Sequence, residues 1–139
     1  MLALAGACLS LQVWAAQPLA PTPPVQANYM LNCMGCHLAD GSGSPGKVPS
    51  LRDSLLPLAL SPAGRAYLVQ VPGVAQSPLA DEEIAQLLAW MVRNLGARAV
   101  PPEFVDFTAA EVAGYRKSPL VNVRETRAQL LAAAQRPTP

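Results

Sequence analysis

Cys33-Met34-Gly35-Cys36-His37 is the stretch on which the reading of this chain turns. It sets two thiols three positions apart and an imidazole directly after the second, a spacing that one helical turn brings to a common side. Two familiar uses of such a pair conflict with the rest of the sequence. A closed zinc site takes four protein ligands, and the chain has 3 Cys and 1 His in all, with Cys8 far upstream. A redox dithiol wants a strand-helix-strand setting, and no such pattern flanks the motif.

A third use fits. Cys-x-x-Cys-His is the attachment signal for a c-type haem: two sulfurs form thioethers at adjacent vinyl edges of one porphyrin, and the next residue is carried beneath the iron. The cofactor this predicts is haem c, covalent and one per chain, on Cys33, Cys36 and His37.

Working outward, Gln26-Ala27-Asn28-Tyr29-Met30-Leu31-Asn32 predicts a short helix running into the motif, with Tyr29, Met30 and Cys33 on its packing face and Asn28 and Asn32 in water. Beyond His37, the glycines at 41, 43 and 46 allow a tight loop against a porphyrin edge. The run Asn32-Cys-Met-Gly-Cys-His-Leu-Ala-Asp-Gly-Ser-Gly, followed by Val48-Pro49-Ser50-Leu51, resembles the opening of a class I cytochrome c. The resemblance implies that Pro49 packs on the ligand histidine and that its carbonyl accepts the other imidazole N–H, fixing the tautomer that faces iron.

The clearest helix lies further on. Asp81, Glu82 and Glu83 suit the positive end of a helix dipole, Gly96 supplies a stop, and Ile84, Leu87, Leu88, Met91 and Leu95 form one apolar stripe. Leu79 to Met91 resembles the C-terminal helix of the same class, in which the aromatic, here Trp90, packs across the N-terminal helix. Between the two ends, Ser61-Pro62 reads as a cap and first residue of a short helix through Val69, and residues 71–79 read as a loop. Arg65, Tyr67 and Trp90 are candidates for haem propionate contacts, against a plainer reading of Arg65 as solvated and Tyr67 as core. The fold expected is all-α, a small cytochrome c fold of three to five helices around a covalent haem, plus a C-terminal helical extension.

One departure concerns mechanism. The resemblance implies a methionine as second axial ligand, from the loop before the last helix, but residues 71–79 contain neither Met nor His. Met34 is inside the motif and Met30 one turn before it, which leaves Met91 as the ordinary candidate. Its place on the apolar stripe also suits packing, so an open sixth position, or Lys47 or Gln76, stands beside it.

Past the last helix, Phe104 and Phe107 are expected to pin an irregular segment to the domain. Thr108-Ala-Ala-Glu111 reads as a capping box opening a helix to Arg116, and Asn122-Val-Arg-Glu125 opens a final helix with Val123, Leu130, Leu131 and Ala134 on its apolar side. This tail is expected to clamp the haem domain, with partner docking as the alternative.

Met1 to Ala15 is an uncharged apolar run, short for a membrane span, that reads as an export signal cleaved after Ala15, although no Lys or Arg precedes it. Lipidation at Cys8 is the weaker reading, and an uncleaved segment would tether the protein to the membrane. The domains expected are a signal peptide at 1–15, a Pro- and Ala-rich linker at 16–28, the haem domain at 29–97 and the extension at 98–139. With 10 Lys+Arg against 9 Asp+Glu, the chain has no nucleic-acid footprint.

Together these residues predict a bacterial periplasmic single-haem cytochrome, an electron carrier rather than an enzyme, passing electrons from a partner dehydrogenase or other redox protein towards the respiratory chain. The alternative is a haem-based small-ligand binder or sensor with an open sixth position. A peroxidase is weaker, since the single histidine is already proximal and no distal base is evident.

Overall fold

Helix α1 (Pro24–Asn32) begins ahead of the assigned haem domain, inside the expected linker, because proline at a first helical position gives up an N–H that has no partner there anyway. The computed structural model describes residues 24–96 and 98–136. The expected signal peptide and the first part of the linker lie outside them. Among the described residues all regular structure is helical, so the fold is all-α as predicted: α2 (Leu55–Ala59), α3 (Pro62–Gln70), α4 (Pro72–Ala75), α5 (Asp81–Leu95), α6 (Ala109–Tyr115) and α7 (Val123–Ala134) complete it.

α5 is the beam of the molecule. Its predicted stripe of Ile84, Leu87, Leu88, Met91 and Leu95 is buried throughout, joined by Ala85, Ala89 and Val92, and each large aliphatic side chain so removed from water contributes about 1.5–3 kcal/mol. Glu83 closes its first turn by accepting the Ala80 N–H at 2.9 Å. Gly96 ends the helix in extended backbone, and it must be glycine because a Cβ there would press on the Val92 carbonyl.

α1 crosses α5. Tyr29, 1% exposed, stacks at a tilt on Trp90 with centroids 5.6 Å apart, which realises the expected aromatic packing across the N-terminal helix. The face of α1 differs from expectation in two respects: Met30 points to solvent, leaving Val25 and Cys33 to pack beside the buried Tyr29, and Asn28 and Asn32, expected in water, are half-buried.

Ser61 caps α3 as predicted, its hydroxyl accepting the Gly64 N–H at 3.1 Å, with Pro62 at the first helical position. Gly64 lies directly on the Leu58 carbonyl of α2, where any Cβ would overlap it. Residues 71–79 are not the continuous loop expected, because they include the single turn α4.

The extension returns over the domain. α6 packs on α5 and α3, and α7 on α2 and α3. Phe104, Phe107 and Val112 are buried as its pins. The capping box at Thr108 is only half made: its hydroxyl accepts the Glu111 N–H at 3.2 Å, but the Glu111 carboxylate turns away to Arg65.

Candidate functional site

α1 hands its helical bonding on into the motif. The Cys33 N–H donates to the Tyr29 carbonyl at 2.9 Å, and the His37 N–H to the Cys33 carbonyl at 2.9 Å, so residues 33–37 wind as one more turn. The Tyr29 hydroxyl then ties down the chain beyond by donating to the Leu38 carbonyl at 2.7 Å. That turn delivers both thiols and the imidazole to one wall of a cavity of about 460 Å³. All five residues that the sequence places at the cofactor, Cys33, Cys36, His37, Pro49 and Met91, line it. Most of the remaining wall is aliphatic, from Leu51, Leu55, Leu58, Leu68, Val74 and Leu88.

The surroundings of Cys33 do not favour a redox dithiol. Both cysteines are free, Cys33 half-buried and Cys36 exposed. Burial, and secondarily the neighbouring Cys36, push the Cys33 thiol up to about 11, whereas a redox pair depends on a thiol lowered well below its ordinary value. Among the described residues no cluster of three or more His, Cys, Asp and Glu side chains could hold a metal by itself, whereas a closed zinc site takes four ligands.

His37 is held below the ordinary histidine value by burial, so its ring is neutral, the form that ligates metals. Its Nδ1 is buried with no hydrogen-bond partner, a state that costs about 1–3 kcal/mol. The expected bond to the Pro49 carbonyl is not formed. That oxygen and the Val48 carbonyl lie instead against Gly43, where any Cβ would collide with them. The loop turns on its glycines: Gly41 and Gly46 take positive φ of 78° and 76°, Gly41 abuts Leu95 of α5, and Gly46 borders open space.

The residues fit a haem c. Two thiols and an imidazole kept neutral by burial line one cavity whose remaining lining is mostly aliphatic. Of the three described methionines only Met91 lines the cavity.

The propionate candidates fare differently from one another. Tyr67 is buried and lines the cavity, while Trp90 does not line it and packs on Tyr29. Arg65 is neither solvated nor at the cavity. Its Nε and Nη2 bind both Glu111 oxygens at 2.6 Å, and its guanidinium lies 3.9 Å from the Phe107 ring. Two cavity residues escape the sequence reading of the propionate contacts, Lys47 and Arg127. Arg127 follows Val123 by four positions and precedes Leu131 by four, and a cation on that apolar stripe was the available signal.

No family model matches the chain. Two curated relatives do, and both are cytochrome c-552 of Thermus thermophilus. Each is 31% identical over 112 residues, covering 68% of this chain and 86% and 76% of the respective relatives.

Proposed function

The chain belongs to the c-type cytochromes, haem c proteins that carry electrons and are not enzymes, and on that premise we propose that it is an exported class I member with a single haem. Cys33 and Cys36 would hold that haem through thioethers, and His37 and Met91 would ligate its iron. The observation that supports this reading is the convergence of both thiols and the neutral imidazole on one aliphatic cavity.

A haem bound there supplies an iron centre that takes up and releases one electron with little rearrangement. The chain's own residues do the rest. Leu51, Leu55, Leu58 and Leu68 exclude water, burial keeps His37 neutral, and Cys36 stands exposed at the rim where a redox partner can approach. The partner proposed is a periplasmic dehydrogenase or other redox protein feeding the respiratory chain. With charges balanced at 10 against 9, docking relies little on long-range steering.

The test is to express the chain with its leader in a bacterium that matures c-type cytochromes. One acid-stable haem per chain recovered from the periplasm is the expected result. A protein that accumulates there without acid-stable haem would remove the reading.

A second reading has its own support: Val71, Gly73 and Val74, from the segment before α5, reach the cavity, and Met91 is packed in the α5 stripe. In that reading the sixth position is open and the protein binds a small neutral ligand. Rapid carbon monoxide uptake by the ferrous protein, with a high-spin ferric spectrum, would favour it. A low-spin ferric spectrum and indifference to carbon monoxide favour electron transfer.

A further inference from the structure

We propose that α7 completes the cofactor site: Arg127, with Lys47 on the facing loop, forms a carboxylate anchor that holds the haem propionates. The inference rests on the haem reading above and concerns residues that neither the motif nor the resemblance assigns.

The central cavity does not stop at its aliphatic wall. It adjoins a second cavity of about 570 Å³ between α7 and the 46–49 loop, and the two share Lys47, Pro49, Tyr67, Val123 and Arg127. The junction is cationic. Lys47 comes from the loop, Arg124 and Arg127 from α7, and among the described residues no Asp or Glu lines either cavity. The other titratable groups lining the two cavities are Cys33, Cys36, His37 and Tyr67.

Arg127 differs from the other arginines that the structure places against the domain. Arg52, Arg65, Arg93 and Arg116 each bind a carboxylate. Arg127 is half-buried, yet among the described residues its guanidinium makes one hydrogen bond, a 3.5 Å contact to the Ser50 carbonyl. A partly desolvated guanidinium is costly without an anion, and its planar fork is shaped for a carboxylate. A haem brings two carboxylates on an otherwise apolar body, which matches an aliphatic cavity that turns cationic at one end. Burial pushes the Tyr67 hydroxyl up, and the nearby Arg127 charge offsets part of that push.

The same chemistry would suit a carboxylate or phosphate from outside, so the experiment separates the sources. It uses the full-length haem-loaded protein and measures midpoint potential against pH for wild type, Arg127→Gln, Arg127→Lys and Lys47→Gln. An ionised propionate favours the ferric state, so the potential falls as pH rises through the propionate pKa. An adjacent cation holds that pKa down by about one to three units, and the wild-type potential is then flat over roughly pH 5–8. In Arg127→Gln the fall moves up into that range, and Arg127→Lys restores the flat profile. If Arg127→Gln is not recovered folded, Lys47→Gln on the exposed loop gives the same upward displacement, to a smaller extent.

Profiles identical in wild type and both glutamine variants, at equal haem content, would overturn the proposal. So would calorimetric binding of inorganic phosphate or citrate to the wild type that Arg127→Gln abolishes while the potential profile stays unchanged, which would assign the site to an external anion. A wild type without acid-stable haem overturns both this inference and the reading beneath it, and haem content alone tells that case apart.

Discussion

Arg65 and Arg116, where the extension meets the domain, find every partner within the chain, whereas His37 and Arg127, on the central cavity, do not. Arg116 donates to the carbonyls of Ala75, Ser77 and Leu79 and to Asp81 at 2.8 Å, stitching α6 to the segment that leads into α5. Arg65 ties Glu111 together with the carbonyls of Val105 and Asp106. The cavity has the opposite character, with aliphatic walls, a buried imidazole nitrogen that no residue answers, and a half-buried guanidinium with one long bond. The seam is therefore a matter of stability, and the cavity a matter of what the chain takes up. Substitutions in the first should move unfolding and leave spectra alone, and substitutions in the second should do the reverse.

The sharpest break in that comparison comes from the motif. Replacing both Cys33 and Cys36 by Ala should abolish acid-stable haem in the exported protein, read as haem retained after acid extraction. The free thiols take part in no disulfide, so the change removes no cross-link. Acid-stable haem at wild-type yield would erase the distinction between the two regions.

The seam answers next. Arg65→Met keeps an aliphatic side chain but removes the guanidinium that lies on Phe107 and leaves Glu111, whose side chain is 19% exposed, without its two bonds at 2.6 Å. Hydrogen bonds to charged groups are worth about 1.5–3 kcal/mol, and a partly buried carboxylate left alone adds its desolvation. We expect a loss of about 2–4 kcal/mol in urea unfolding, with the absorption spectrum unchanged. A spectral change would mean that the extension reaches the cofactor through Arg65 as well as through α7.

How much of this was legible follows the same division. The motif, the α5 stripe, the Ser61-Pro62 cap and the Tyr29–Trp90 crossing are local or periodic, and a sequence displays such signals directly. α2 and α4 are 5 and 4 residues long, too short to show a period, and α2 carries Pro57 in its first turn, where the missing N–H goes unused. Arg65 is the instructive miss. Its partner Glu111 lies 46 residues away, so nothing near it in sequence distinguishes it from a solvated arginine. Glu111 shows the same conflict from the other side: its position satisfies a capping box, and the tertiary ion pair takes its carboxylate instead. Pro49 reaches the cavity as the resemblance implies, but packing at Gly43 decides where its carbonyl goes.

Met91 belongs to both regions and so tests the boundary. It is 5% exposed within the α5 stripe and also lines the cavity. Met91→Leu conserves volume and should cost under about 1.5 kcal/mol as packing. As the second axial ligand, its loss should turn the ferric spectrum from low-spin to high-spin. An unchanged spectrum with that same small stability loss would give Met91 wholly to the core and support the open sixth position.

The smallest effect expected is within the seam itself. Arg93 resembles Arg65 on paper: each reaches from the domain to the extension, pairs with a carboxylate and lies over a phenylalanine ring, Arg93 at 5.1 Å from Phe104. Exposure separates them. The Arg93 and Asp106 side chains are 48% and 58% exposed, against 15% and 19% for Arg65 and Glu111. Water and salt screen the outer pair, and holding two long side chains in one geometry consumes much of what remains. Arg93→Gln should therefore shift the unfolding free energy by less than about 1 kcal/mol, and by less still as ionic strength rises. The Arg65→Met loss should persist in the same salt series, because that pair is shielded from the solvent. Equal losses for the two variants, or equal salt sensitivity, would show that the extension is held by the number of its ion pairs rather than by the burial of one.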